Sequence, residues 1–251
     1  MTAYTALIRA GYKASIRDAT TVFFTFAFPL VFLVVFGLIF AGRDVEGTGN
    51  SYINYIGPGV LSWGVANAAL FGVSFTLMQW RNDDLLRLIR MTPVSLRAVL
   101  GSRVVLAQVI GLLQAGLFVG VAVLPVFGLH VSGRWPLALP VLVLAVAAFL
   151  ALGVVVGARA QTPEAVAAIA NCIMVPMAFV SGSFFPLDLM PGWLRAISQA
   201  LPLRYVNDGI AVAIAGRGDL GDYGIACAAL AGFTVLFGAI GLRAFRWSNR
   251  P

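Results

Sequence analysis

The sequence predicts an all-helical polytopic membrane protein with six transmembrane helices, and three observations carry that prediction. Only 11% of the 251 residues are charged and 60% are apolar, whereas an average soluble domain carries roughly 25% charged residues. Asp, Glu, Lys and Arg are absent from six windows, residues 19–42, 47–80, 104–133, 135–158, 165–187 and 223–242. Each holds the about 20 helical residues that cross a hydrocarbon core. Lipid offers no water to unpaired amides, so spans are helices or closed barrels, and barrel strands alternate polar with apolar residues. The run 141–156 does not alternate. This composition excludes a soluble globular enzyme, and no soluble domain interrupts it: residues 1–251 form a single transmembrane domain.

The first window follows Arg9, Lys13 and Arg17 but is too long for the 7–15-residue core of a cleaved signal peptide, so it reads as a retained span. Basic residues then set the orientation. The N-terminus, the second and fourth connections and the C-terminus hold 12 Lys and Arg, against 5 in the first, third and fifth connections. Basic loops stay on the cytoplasmic side, which puts both termini in the cytoplasm. The net charge of +7 is thereby a topology signal, and no nucleic-acid partner is expected. Cys172 and Cys227 fall inside spans without metal-ligand or disulfide spacing and read as buried apolar thiols. His130 reads as a solvated loop residue, with no carboxylate near it in sequence.

The windows contain no ionisable group of the kind that ion-coupled carriers place at membrane depth. A phosphate-binding loop needs Gly-x-x-x-x-Gly-Lys-Ser/Thr, and the only lysine, Lys13, does not stand in that pattern. Asp188, Asp208, Asp219 and Asp222 are scattered without metal spacing. No catalytic residue and no metal site is predicted, and the chain has no ATPase of its own.

Two connections carry more information. In residues 81–95, Asn82 is placed to cap a short helix, Asp83 and Asp84 to sit at its positive end, and Arg87 and Arg90 nearer its negative end. Pro93 stops it, and Leu85, Leu86 and Ile89 share a face. Such a helix either rests on the inner headgroups or docks on a cytoplasmic partner. In residues 181–222, the Ser181–Pro186 stretch breaks a helix. Leu187–Arg195 restarts one with Pro191 in its first turn, and Trp193, Leu194, Ile197 and Leu201 share a face that Pro202 ends. This interval reads as short helices at the outer leaflet, with Trp193 and Tyr205 as interfacial anchors.

The pattern Ser181-Gly182-x-Phe184-Phe185-Pro186, Met190-Pro191-x-Trp193-Leu194, Pro202-x-x-Tyr205 and Asp208-Gly209 closely resembles permeases of the ABC-2 type of ATP-binding cassette exporter. Phe28-Pro29 through Phe36-Gly37, Tyr55-x-x-Pro58-Gly59 and Leu86 through Thr92-Pro93-Val94-Ser95 extend the likeness over nearly the whole chain. Where the family usually reads Gly-Thr-Leu-Glu, this chain reads Asp84-Leu85-Leu86-Arg87, a basic residue in place of an acidic one. That exchange points to an ATPase partner with its own charge complement.

The resemblance implies a bacterial inner-membrane permease with an N-terminal interface helix, which residues 4–17 fit. It also implies a cytoplasmic coupling helix between spans 2 and 3 and a re-entrant helical hairpin before span 6. ATP and Mg would be bound by the partner, and two ATPase subunits would serve two permeases, the second being the same chain or a paralogue. ATPase docking then falls to Asp83, Asp84, Leu86, Arg87, Ile89, Arg90 and Pro93. The outer hairpin comprises Gly182, Phe185, Pro186, Pro191, Trp193, Pro202 and Tyr205. In such permeases spans one, two and five line the path, which here selects Phe28, Phe32, Asn67, Ser74 and Asn171. An aromatic, uncharged lining suits a drug or lipid-like cargo better than ions, although the same phenylalanines also suit contact with lipid or neighbouring helices. Gly116-x-x-x-Gly120 and Gly153-x-x-x-Gly157 read as packing signals. A non-transporting scaffold or lipid-modifying membrane protein, and a secondary carrier, remain the alternatives at this stage.

Overall fold

The computed structural model describes residues 22–39, 52–83 and 96–244, and among them every regular element is helical. A π turn at Phe23–Ala27 leads into α1, Phe28–Ile39. Then come α2, Tyr52–Asn82, α3, Leu96–Ala122, α4, Ala138–Arg159, and α5, Pro163–Val180. Two short helices follow, α6, Gly192–Ser198, and α7, Pro202–Ile210, and after a second π turn α8 runs over Leu220–Ala244. Five helices, α2 to α5 and α8, are long and apolar enough to cross a membrane. The apolar helix Phe23–Ile39 is shorter among the described residues. The expected interface helix at 4–17 and the coupling helix beyond Asp83 lie outside the described residues.

Helix ends follow the local chemistry. Thr162 caps α5, its Oγ1 accepting from Ala165 N at 3.2 Å, with Pro163 at the first helical position and Glu164 in the first turn. At the other end Ser183 N donates to Ala178 O at 3.2 Å across Gly182, whose φ of +82° only glycine adopts without strain. This is where the sequence places the break after the fifth window.

The most extensive helix contact is between α2 and α4, followed by α4 with α8. Its closeness comes from glycine. A Cβ on Gly153 would stand 2.5 Å from Leu70 O, and one on Gly157 would stand 2.7 Å from Ser74 O. The Ser74 hydroxyl donates to Gly153 O at 2.9 Å and to Leu70 O at 2.7 Å. In lipid there is no hydrophobic drive between helices, so such backbone approach and interhelical hydrogen bonding supply the association. The outward faces are apolar, as Val31, Leu38, Leu113, Leu117, Val235 and Leu242 show, the pattern of a bundle solvated by lipid.

Several local expectations are corrected. Asn82 is the last residue of α2, its side-chain amide donating to Gln161 O at 2.8 Å, and the helix it is expected to cap lies outside the described residues. Leu187–Arg195 is not one helix: a 3-10 turn at Leu187–Leu189 precedes α6, with Pro191 as its N-cap. Pro202 begins α7 rather than merely ending the face before it, since a first-turn position needs no amide hydrogen. Cys172 is exposed and Cys227 half-buried, because this chain leaves the Cys172 face of α5 uncovered. Gly116 and Gly120 have no atom near their Cβ positions, so among the described residues only the Gly153/Gly157 pair packs against another helix.

These contacts give opposite expectations for two like substitutions. Gly116→Ala should gain up to about 1 kcal/mol of helix propensity. Gly153→Ala should lose roughly 1–3 kcal/mol by overpacking against Leu70. Thermal unfolding in detergent checks the sign of each.

Candidate functional site

Three groupings of functional side chains emerge. The first is an aromatic knot joining α1, α2 and the turn after α5. Phe28 and Phe32 lie 5.8 and 5.2 Å from the Trp63 ring, and Phe184 lies 5.5 Å from Trp63 and 5.7 Å from Phe32. Phe36 and Phe179 complete it, both against Phe184. The predicted path residues Phe28 and Phe32 thus sit together, but the other three do not join them. Ser74 is buried on the α4 contact, Asn67 is half-buried on α2, and Asn171 is exposed on α5. Gln114 of α3, absent from the sequence-based set, is 3% exposed and its amide makes no hydrogen bond among the described residues. An uncharged polar residue within the third window was the available signal.

The second grouping surrounds a cavity of about 490 Å³ at the end of the bundle that carries the 181–218 segment. Asn207, 7% exposed, donates to Ser181 O at 2.8 Å and to Ser183 Oγ at 3.0 Å, which ties α7 to the turn after α5. Arg204 donates to Asp208 Oδ2 at 2.6 Å and to Ser198 Oγ at 3.1 Å. Arg217 stacks 4.3 Å above the Tyr55 ring and donates to Tyr55 O at 3.3 Å, while Tyr55 Oη accepts from Leu187 N at 3.3 Å. Burial pushes the Asp208 carboxyl above the ordinary carboxylate value, and the hydrogen bond and charge of Arg204 draw it part of the way back. Burial likewise lowers the Arg217 guanidinium.

Of the predicted hairpin residues, Gly182 and Tyr205 line this cavity, and Tyr205 donates to Gln199 O at 2.7 Å. Pro186 is buried and Pro202 starts α7, whereas Phe185, Pro191 and Trp193 are exposed, Trp193 at 67%. Arg204 and Arg217 were counted in the sequence only as loop charges, and Asp208 entered as a scattered carboxylate and as part of the Asp208-Gly209 pair.

The third grouping lies at the opposite end, where α2 hands over to the second connection. Asp83 is exposed in the turn closing α2. Asp84, Leu86, Arg87, Ile89, Arg90 and Pro93 lie outside the described residues. Just before them, Arg81 is 6% exposed and donates from Nη1 to Gly157 O at 2.9 Å and to Ala158 O at 2.6 Å.

The ABC-2 type transporter model matches residues 2–215, taking in the knot, the second connection and most of the cavity lining. The chain belongs to the ABC-2 type transporter family. The daunorubicin resistance ABC transporter permease protein DrrB1 of Streptomyces coeruleorubidus is 28% identical over 239 residues, covering 88% of this chain and 78% of that protein. The linearmycin resistance permease protein LnrN of Bacillus subtilis is 28% identical over 179 residues, 70% of this chain but 46% of its own length. The inner membrane transport permease YadH of Escherichia coli K12 is 23% identical over 196 residues, 76% and 73% of the two chains. An ABC-2 permease is the membrane subunit of an ABC exporter and has no enzymatic activity, ATP hydrolysis belonging to a separate subunit.

The Arg204–Asp208 pair gives this ABC-2 chain a pH signature. Replacing Arg204 by Gln removes what holds the Asp208 carboxyl down, so its pKa in the fold rises further. An acid whose folded pKa is raised loses stability as pH climbs from its unfolded value through the folded one. The Arg204→Gln deficit should therefore be larger at pH 8 than at pH 5, by roughly 1 kcal/mol or less for a pair this exposed. Melting curves at the two pH values measure it.

Proposed function

We propose that this chain is the permease of a bacterial inner-membrane exporter that carries hydrophobic or amphiphilic cargo, drug or lipid-like, out of the cell. The observation that carries this reading is the family match together with relatives named for daunorubicin and linearmycin resistance. Physical chemistry supports it. Windows free of charge give no foothold to a hydrated ion, whereas the aromatic side chains of α1 and the scattered amides Asn67, Asn171 and Gln114 offer apolar area with occasional hydrogen bonding.

In this reading both termini are cytoplasmic, following the basic asymmetry, and the 181–218 segment forms a hairpin at the outer leaflet. Two permeases, the same chain or a paralogue, pair along α1, α2 and α5. The uncovered apolar sides of α1 and α5, with Val31, Val35, Val175 and Phe179 exposed, support that pairing. Two ATPase subunits bind ATP and Mg, and the second connection docks on them as a coupling helix through Leu86 and Ile89, flanked by Asp83, Asp84, Arg87, Arg90 and Pro93. A stroke of the ATPases would then move α2 and alter access to the path.

Interface anchors of this kind are each worth about 2 kcal/mol or more when truncated. Replacing Leu86 and Ile89 together by Asp should abolish co-purification of the ATPase encoded with this permease, while the variant still inserts in the membrane. Full retention of the ATPase by the double variant would favour a loop that merely rests on the headgroups.

A further inference from the structure

We infer that Arg81 is a positioning residue that locks α2 to α4 and to the α4–α5 turn, so that force arriving at the second connection is delivered to α4 and α5 as well as to α2. Nothing in the family match distinguishes this residue from the other arginines of the connection.

The geometry sets it apart. Arg103 of α3 is only half-buried, whereas Arg81 is 6% exposed. Its Nη1 points at the C-terminal end of α4, donating to Gly157 O, Ala158 O and Ala160 O at 2.9, 2.6 and 3.4 Å. The last carbonyls of a helix have no partners within it and carry the negative end of its dipole, and a guanidinium is the side chain with enough donors in a fixed fork to serve several at once. Arg81 therefore caps α4 with a residue of α2. One residue later, Asn82 Nδ2 donates to Gln161 O at 2.8 Å, and Gln161 adjoins Thr162, the N-cap of α5. Two consecutive side chains of α2 thus hold the end of α4 and the entry to α5.

Two further contacts decide what this clamp joins. Higher up, Ser74 with Gly153 and Gly157 brings the α2 and α4 backbones into direct contact, so the helices are fixed together at three levels and move as one body. On the other flank, the Arg103 guanidinium of α3 lies 4.7 Å over the Trp80 ring, a contact without a hydrogen bond. A push at residue 83 meets hydrogen-bonded contacts into the end of α4 and the entry to α5.

The inference rests on the docking reading only for the origin of the push. Spin labels on the exposed Gln79 of α2 and on Gln161, in a Cys172→Ala, Cys227→Ala background in lipid nanodiscs, read the clamp. The otherwise unchanged permease should give one narrow distance, alone and with its ATPase, nucleotide-free and trapped with ATP and vanadate. Arg81→Ala should broaden that distance in the permease alone and lengthen it by about 5 Å, one helical turn, on trapping. Arg81→Lys should recover part of the narrowness. Asn82→Ala, at an exposed site that does not threaten folding, should broaden it in the same sense by less. An Arg81→Ala distribution as narrow as the parent's, or a 79–161 distance that already shifts by a helical turn in the parent, would overturn the clamp. A parent that fails to hold the ATPase, while Arg81→Ala still broadens the distance in the permease alone, would sink docking and leave the clamp standing.

Discussion

The direct contact of the α2 and α4 backbones is the constraint on which the rest of this molecule depends. Lipid withholds the hydrophobic drive that assembles a soluble core, so helices adhere through dispersion at short range and through the few hydrogen bonds that cross between them. Gly153 and Gly157 permit that range and Ser74 uses it. Helix α8 then packs on α4, and α7 on both α4 and α8. Helices α3 and α5 keep much of their surface free.

Charge is arranged around that pair in a consistent way. None lies near its middle, and the buried arginines sit at its two ends. Arg81 closes one end on helix carbonyls, and Arg217, on Tyr55, together with the Arg204–Asp208 pair builds the polar cavity at the other. An arginine in low dielectric is tolerable only where donors meet acceptors, which confines such residues to helix ends and turns. In the proposed reading this separation leaves an apolar interior for cargo, a mechanical end for the motor, and a polar end where the polypeptide folds back.

The sequence made the long helices legible because a span needs a charge-free run, and a run is one-dimensional information. The breaker at Ser181-Gly182 was legible for the same reason. The role of Pro202 was not, since that residue suits either the end of one helix or the start of the next, and the α7 backbone decides between them. Arg81 looked like one more cytoplasmic charge, because nothing in its neighbours tells that α4 ends beside it. Phe28 and Phe32 were recognisable as an aromatic row, but Trp63 and Phe184, which gather them into a knot, are 31 and 152 positions from Phe32 in the chain. The exposure of Cys172 and Asn171 likewise depends on what packs on α5, which is not legible from α5 itself.

The central claim is that this chain converts the work of a separate ATPase into movement of an amphiphile across the membrane. ATP hydrolysis and uptake of a fluorescent amphiphilic dye in inside-out proteoliposomes test it most directly, with the permease alone, the ATPase alone and the two together. The account predicts no hydrolysis by the permease alone and ATP-dependent accumulation only when both are present. Hydrolysis by the purified permease alone, or accumulation that proceeds without ATP along an ion gradient, would contradict it.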